Sequence, residues 1–225
     1  MSRSNLSSTE RIRAKKKAFL AREERIIEAA QELFIKHGID RVTVSDIAEL
    51  ANIGKGTVYK HFLSKNEILM RILLNYERNI TDNLKHGIED TENGVPGAAS
   101  MAYLRSRLQR PELDRLVQHL EIRLEDEEEV AEQMKELYAV RLSNENALNN
   151  MVKKLIDRDI LEDVPPHYHY LAGWAMAQGA VELCFNKSWN YRLDTEDVLK
   201  FIMSIAVTMG NKGQMLDVDA AKRDK

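Results

Sequence analysis

Apolar residues recur every three or four positions along most of this 225-residue chain, the spacing of helices with one buried face. Between Arg22 and His37 the stripe is Ile26, Ala29, Ala30, Leu33 and Phe34, and Gly38 follows as a C-cap. Thr43-x-x-Asp46 reads as a capping box for a second helix with Val44, Ile47, Ala48 and Ala51 on its apolar face. Asn52-Ile53-Gly54 interrupts the pattern, because Asn and Gly both tolerate left-handed backbone. Gly56–Phe62 then resumes helical spacing, anchored by Val58 and Phe62. Ser64-x-x-Glu67 is a second capping box, opening a long helix through Ile68, Leu69, Ile72, Leu73, Tyr76, Ile80 and Leu84.

Farther on, residues 87–100 concentrate Gly, Pro and small polar residues and predict a loop. Met101–Gln109 predicts a short helix, and Pro111 stands at N1 of another that reaches about Leu124. The acidic run Glu125–Glu129 suits the first turn of a helix ending near Asp159, where negative charge complements the dipole. Asp163–Pro166 breaks it. Residues 167–186 and 195–210 are apolar on nearly all sides, so they need covering on all sides. A matching pair from a second subunit would do so, with Leu171, Ala175, Leu183, Phe201, Ile202 and Ile205 at the dimer interface. Nothing reads as strand or repeat. The expected fold is all-α: a basic, flexible arm over 1–21, a three-helix head over 22–66, a helical body over 67–211 and a flexible tail over 212–225. The basic run inside 1–21 can also be read as an extension of the next helix or as a solvated tail.

Charge changes the picture by its distribution. The net charge of −3 alone argues against a nucleic-acid binder. Yet residues 1–62 carry 12 Lys/Arg against 8 Asp/Glu, a balance of +4, which leaves −7 for the rest. A basic head on an acidic body suits a protein whose first segment touches phosphates. No apolar run is long enough for a membrane span, and MSRSNLSSTERIRAKKK lacks the apolar stretch of a secretory signal, which predicts a cytoplasmic protein. Cys184 is alone in an apolar run, so no disulfide is expected.

Residues 43–62 carry the functional signal. An apolar helix, a tight break and a helix whose outer face offers Lys55, Thr57, Tyr59, Lys60 and His61 together make a helix-turn-helix. Residues 22–70 resemble the DNA-binding domain of the TetR family of bacterial transcriptional regulators. The resemblance runs through Leu33-Phe34 and Gly38, then Thr43-Val44-x-x-Ile47-Ala48-x-x-Ala51. It continues through Lys55-Gly56-Thr57-x-Tyr59-x-His61-Phe62 and Ser64-Lys65-x-Glu67-x-Leu69. It covers about 50 residues; the remainder matches only in pattern. Asn52 stands where the family usually has Gly, and Gly54 where Ser or Thr commonly caps the recognition helix.

The resemblance implies a homodimer that binds a pseudo-palindromic operator and is released by a small molecule entering the body. By matched position Thr43, Tyr59, His61 and Lys65 are expected at the DNA backbone, with Lys55, Gly56, Thr57 and Lys60 presented to the groove; Ser45 is added to the DNA-binding set. In the body, residues combining an apolar frame with a polar handle are the effector-binding candidates: Tyr103, His119, Arg123, Tyr138, Arg141, Tyr168, Trp174 and Gln178. They suit an apolar or amphipathic effector. The helix from Ser64, belonging to head and body alike, is the expected lever.

No nucleophile–base pair, carboxylate constellation or Gly-rich phosphate loop suggests an enzyme, and no cofactor is expected. His167 and His169 do not share a helix face, so no metal site is expected either. A constitutive regulator without an effector is one alternative. A helical partner-binding protein is another, though it leaves Lys55–His61 and the basic amino terminus without a role.

Overall fold

The computed structural model describes residues 8–186 and 195–212, and every regular element among them is helical. In chain order these are α1 Ser8–His37, a 3-10 turn Ile39–Arg41, α2 Val44–Leu50, α3 Lys55–Val58 and α4 Lys65–Glu92. Then come α5 Ala98–Leu108, α6 Pro111–Leu124, a 3-10 turn Glu128–Val130, α7 Ala131–Ile156, α8 Pro166–Phe185 and, last, α9 Thr195–Lys212. The chain divides into two compact units, one of residues 1–73 with 116–131, the other of residues 74–115 with 132–225. The expected head thus acquires the second half of α6, a long-range addition that no local pattern announces.

The first unit is organised around α1. Ile26, Ile27, Ala29, Ala30 and Phe34 are buried, as are Ile47, Ala48, Val58, Phe62, Ile68 and Leu69 of the following elements. Where a flexible arm over 1–21 was expected, residues 8–21 are helical and continuous with the core-forming part of α1. Between Ser8 and His37 there is no Gly or Pro to stop the helix, and Ala and Lys favour it. Residues 1–7 of that arm lie outside the described residues, as do residues 213–225 of the expected tail. Glu23 of α1 is buried and satisfied by an ion pair with Arg71 of α4, whose guanidinium also lies 5.7 Å from the Phe62 ring centre.

The second unit buries Leu84, Ala99, Met151, Val152, Leu155 and Leu161 together. A further apolar group joins Leu108 of α5, Ala180 and Val181 of α8, and Leu199, Ile202 and Met203 of α9. The loop expected over 87–100 shrinks to Asn93–Gly97, because α4 continues to Glu92 and α5 begins at Ala98. Two residues explain the difference. Gly87 lets α4 and α5 approach so closely that a Cβ there would stand 2.7 Å from Ala102 Cβ and 2.9 Å from Ala98 O. Thr91, also buried, donates its hydroxyl to Gly87 O (2.8 Å) and accepts the Ala99 N–H (3.0 Å). Gly97 has no side chain with which to cap α5, so a hydroxyl from the preceding helix satisfies that orphan donor.

Candidate nucleic-acid interface and sensor residues

The helix-turn-helix is built by local hydrogen bonds. At the start of α2 the Asp46 N–H donates to Thr43 Oγ1 (3.3 Å), while the Asp46 carboxylate accepts from Thr43 N (2.7 Å) and Thr43 Oγ1 (2.8 Å). The bond from the Thr43 N–H, followed by that from its hydroxyl, holds the Asp46 carboxyl below its ordinary value. At the other end, Asn52 adopts φ 52. The Ile53 N–H reaches Ala48 O (3.0 Å) and the Asn52 N–H reaches Glu49 O (3.0 Å), the paired bonds of a Schellman closure. Asn52 therefore fills the left-handed position that Gly would otherwise take.

Helix α3 is shorter than its spacing predicts. Regular helix covers Lys55–Val58, and the Lys60 and His61 N–H groups turn to the carbonyls three residues back, at 3.1 and 2.9 Å. That tightening closes the element at Phe62, which is buried, as is Val58. Gly54 caps α3 with no side-chain hydrogen bond.

Around this frame the expected DNA-binding residues separate into two groups. Ser45, Lys55, Gly56, Tyr59 and Lys60 are exposed, and neither Lys55 nor Lys60 is paired with an acid among the described residues. The others are engaged in the protein itself. Thr43 is exposed but its hydroxyl is used in the capping box. Thr57 is half-buried. Lys65 donates from Nζ to Ile39 O (2.5 Å) and sits 5.7 Å from the Phe34 ring centre; burial, with help from the Arg123 charge, depresses its pKa. The His61 ring stacks on Phe19 of α1 with centroids 4.0 Å apart, and its Nδ1 is buried without a hydrogen-bond partner. Burial first, then the nearby Arg22 charge, keeps that imidazole neutral.

In the second unit the structure brings together two of the eight effector candidates. Tyr103 OH accepts from Arg107 Nη1 (2.9 Å), and Gln178 Oε1 accepts from Arg107 Nη2 (3.0 Å). The organising residues, Arg107 and Asp114, were not foreseen from the sequence. Arg107 Nε and Nη2 clasp the two oxygens of Asp114, which also receives the hydroxyl of Tyr76. Burial alone would drive Arg107 toward losing its proton; the Asp114 carboxylate outweighs it and holds the guanidinium charged. The Tyr76 and Tyr103 phenols are kept protonated, chiefly by burial. Tyr170 lies 6.5 Å from Tyr103, centroid to centroid, and burial pushes its phenol up to about 12. Arg141 donates from Nε to Glu77 Oε2 (3.0 Å), and Asn144 to Thr81 Oγ1 (3.0 Å).

The remaining candidates stand elsewhere. His119 and Arg123 belong to the other compact unit, where Arg123 Nη1 binds Asp40 Oδ1 at 2.7 Å; α6 has by then left the body. Tyr138, Tyr168 and Trp174 are exposed. Leu171, Ala175, Phe201 and Ile205 of the expected dimer interface are exposed as well, with Phe201 at 66%, while Leu183 and Ile202 are half-buried. Among the described residues no three His, Cys, Asp or Glu side chains converge to hold a metal, and no helix is long and apolar enough to cross a membrane.

The family model for bacterial regulatory proteins of the tetR family matches residues 26–72, which contain the whole helix-turn-helix. Residues 26–72 form a DNA-binding domain of the TetR family. A curated relative, the HTH-type transcriptional regulator TtgR of Pseudomonas putida, is 48% identical over 48 residues, 21% of this chain and 23% of that protein. The aligned region therefore spans less than a quarter of that relative's length. The fold likeness extends farther. PfmR, a TetR family regulator of Thermus thermophilus, matches with TM-score 0.64 at 20% identity, covering 82% of this chain and 97% of that one. SmeT, solved as a triclosan complex, matches with TM-score 0.62 at 18% identity, covering 84% and 90%.

Proposed function

We propose that this chain is a cytoplasmic, homodimeric transcriptional regulator that binds a pseudo-palindromic operator and acts as a repressor released by a small effector. The observation that carries the DNA-binding part is the exposed face of α3 and the turn that follows it: Lys55, Gly56, Tyr59 and Lys60 are exposed on a helix-turn-helix closed at both ends of α2. Lys55, Gly56, Thr57 and Lys60 read the groove and Tyr59 positions the backbone. Thr43, Ser45, His61 and Lys65 complete the surface, although the internal bonds of Thr43 and Lys65 reduce what each can give to a phosphate.

The second copy is argued from α8 and α9. Leu171 and Phe201 are large, apolar and exposed at 51% and 66%. With Ala175, Leu183, Ile202 and Ile205 they form faces that a partner's same two helices would cover. The two heads must then present α3 about 34–36 Å apart, or a multiple of it. The effector is apolar or amphipathic, and it would meet Tyr103, Gln178 and Arg141 among the paired charges of the body; SmeT in complex with triclosan is a precedent for such a ligand in this fold. The effector must bind better to the form whose head spacing misfits the operator, since equal affinity would shift nothing. Helix α4, whose residues belong to both units, is the proposed lever, and α6 shares that property.

The decisive experiment selects duplexes from random DNA with the purified chain. Recovery of a two-fold sequence bound far more tightly than a scrambled duplex supports the reading. A chain that remains monomeric, or retains no duplex above background, overturns it.

A further inference from the structure

The geometry points to a second DNA-contacting surface: a straight track of basic side chains along the first half of α1, contacting phosphates that flank the operator half-site. It rests on the DNA-binding reading above and extends it to a part of the chain that the family match at residues 26–72 does not reach. A solvated tail would carry its charges without order. Here residues 8–21 are helical, continuous with α1, so the charges hold fixed phases.

At about 100° per residue, Arg11, Lys15, Arg22 and Arg25 fall within an arc of about 80°, and Ala18 completes the stripe with a small side chain. All four basic residues are exposed, and none is paired with an acid among the described residues. The acids of this half are kept off the stripe. Glu10 and Glu24 lie about 100° or more from its centre, and Glu23 is buried against Arg71. At about 1.5 Å per residue, Arg11 to Arg25 extends roughly 21 Å, long enough to follow several successive phosphates of one strand.

Two contacts tie the track to α3. Phe19, next to the stripe, stacks on His61 at 4.0 Å between centroids. The Arg22 charge lies close enough to act on the His61 imidazole. The stripe therefore begins beside the final turn of the recognition element and runs outward from it. Because His61 is neutral and partly covered by Phe19, Arg22 supplies the positive charge at this corner that an exposed imidazolium would otherwise offer. A phosphodiester backbone fits better than an acidic protein, because the stripe adjoins the element that carries Lys55 and Lys60, whose exposed face is already assigned to DNA. Phosphate contacts of this kind add affinity and register without reading bases.

The test compares two variants that lose the same charge from opposite faces. One is Arg11→Gln/Lys15→Gln/Arg22→Gln; the other is Arg13→Gln/Lys16→Gln/Lys17→Gln. Each is titrated, as full-length chain, against the duplex selected by the wild type and against a scrambled duplex of equal length, over a series of salt concentrations. For the stripe variant the slope of log K against log salt should fall by about 0.9 for each phosphate left unneutralised, so by up to roughly 2.7 per head. Its ratio of selected to scrambled affinity should stay unchanged. The opposite-face variant should keep most of the wild-type slope. Equal losses in both variants would mean diffuse attraction and overturn the track; so would an unchanged slope in the stripe variant. If the wild type itself selects no duplex, the regulator reading fails first, which separates the two outcomes.

Discussion

Arg107 grips Asp114 through two parallel hydrogen bonds, with side chains only 6% and 1% exposed. The pair joins the end of α5 to the start of α6, and Tyr76, Tyr103 and Gln178 add further hydrogen bonds to it. Charges this deep are stabilising only while every member is in place.

Removing one partner should therefore cost more than removing both. Arg107→Met, which strands the Asp114 carboxylate, is expected to lower stability by about 3–5 kcal/mol. The double variant Arg107→Met/Asp114→Leu should recover a substantial part of that loss. Urea unfolding of the two variants checks the ordering, and equal losses would argue against a buried, mutually dependent pair.

Gly87→Ala tests the closeness of α4 and α5. In an open helix the change would be favourable by about 1 kcal/mol. Here the new methyl would meet Ala102 Cβ at 2.7 Å and the α5 backbone at 2.9 Å. A net destabilisation of about 1–3 kcal/mol is expected from the overpacking, visible as a lower melting temperature; a gain would show the crossing to be looser than these distances imply.

The capping box at α2 makes a pH prediction. Bonds from Thr43 depress the Asp46 carboxyl, so its stabilising contribution is complete above the ordinary carboxylate value. It disappears as pH falls through the lower value of the folded protein. The stability difference between the wild type and Asp46→Asn should be constant near neutrality and shrink below about pH 4, as followed by thermal unfolding across an acid series. A difference that persists unchanged in acid would remove the carboxylate from the explanation.

Lys60 and Lys65 should respond differently to the same substitution. Lys60→Gln removes an exposed charge, so it is expected to weaken DNA binding and leave the melting temperature nearly unchanged. Lys65→Gln breaks the Nζ donation to Ile39 O and should cost about 1 kcal/mol of stability or more along with any effect on DNA. Binding isotherms and melting curves on both variants decide it; equal stability of the two would place Lys65 on the surface.

What was legible in the sequence was what depends on near neighbours. Thr43 and Asp46 are three residues apart, and Asn52 follows α2 closely, so the capping box and the turn declare themselves. The apolar spacing likewise forecasts the helices, and Pro111 starts α6 as expected. The α4–α5 corner departs from its sequence pattern because Gly87 and Thr91 look like loop residues, whereas one is a close-packing site and the other a remote cap. The Arg107–Asp114 centre was missed because its members are scattered: Tyr76 is 38 positions from Asp114, and Gln178 is 71 from Arg107. A clue existed, since Asp114 interrupts the apolar run Leu113, Leu116, Val117 at a position that faces inward. His119 and Arg123 share helical phase with residues of the body, and phase alone does not reveal that α6 changes surroundings at Leu116.

Thr91 has a wider implication for how this corner tolerates change. Its hydroxyl anchors α5 from within α4, so the joint between the two helices does not rest on the exposed side chains of the Val95-Pro96 bridge. Gly94 and Gly97, both at positive φ, set the path of the bridge, and Val95 is held there by its N–H to Asp90 O (3.0 Å) and by the Ala98 N–H to its carbonyl (3.4 Å); its exposed side chain can be exchanged for one that carries a fluorophore. A reporter placed there would sit beside the body's interior without disturbing the angle at which its helices meet.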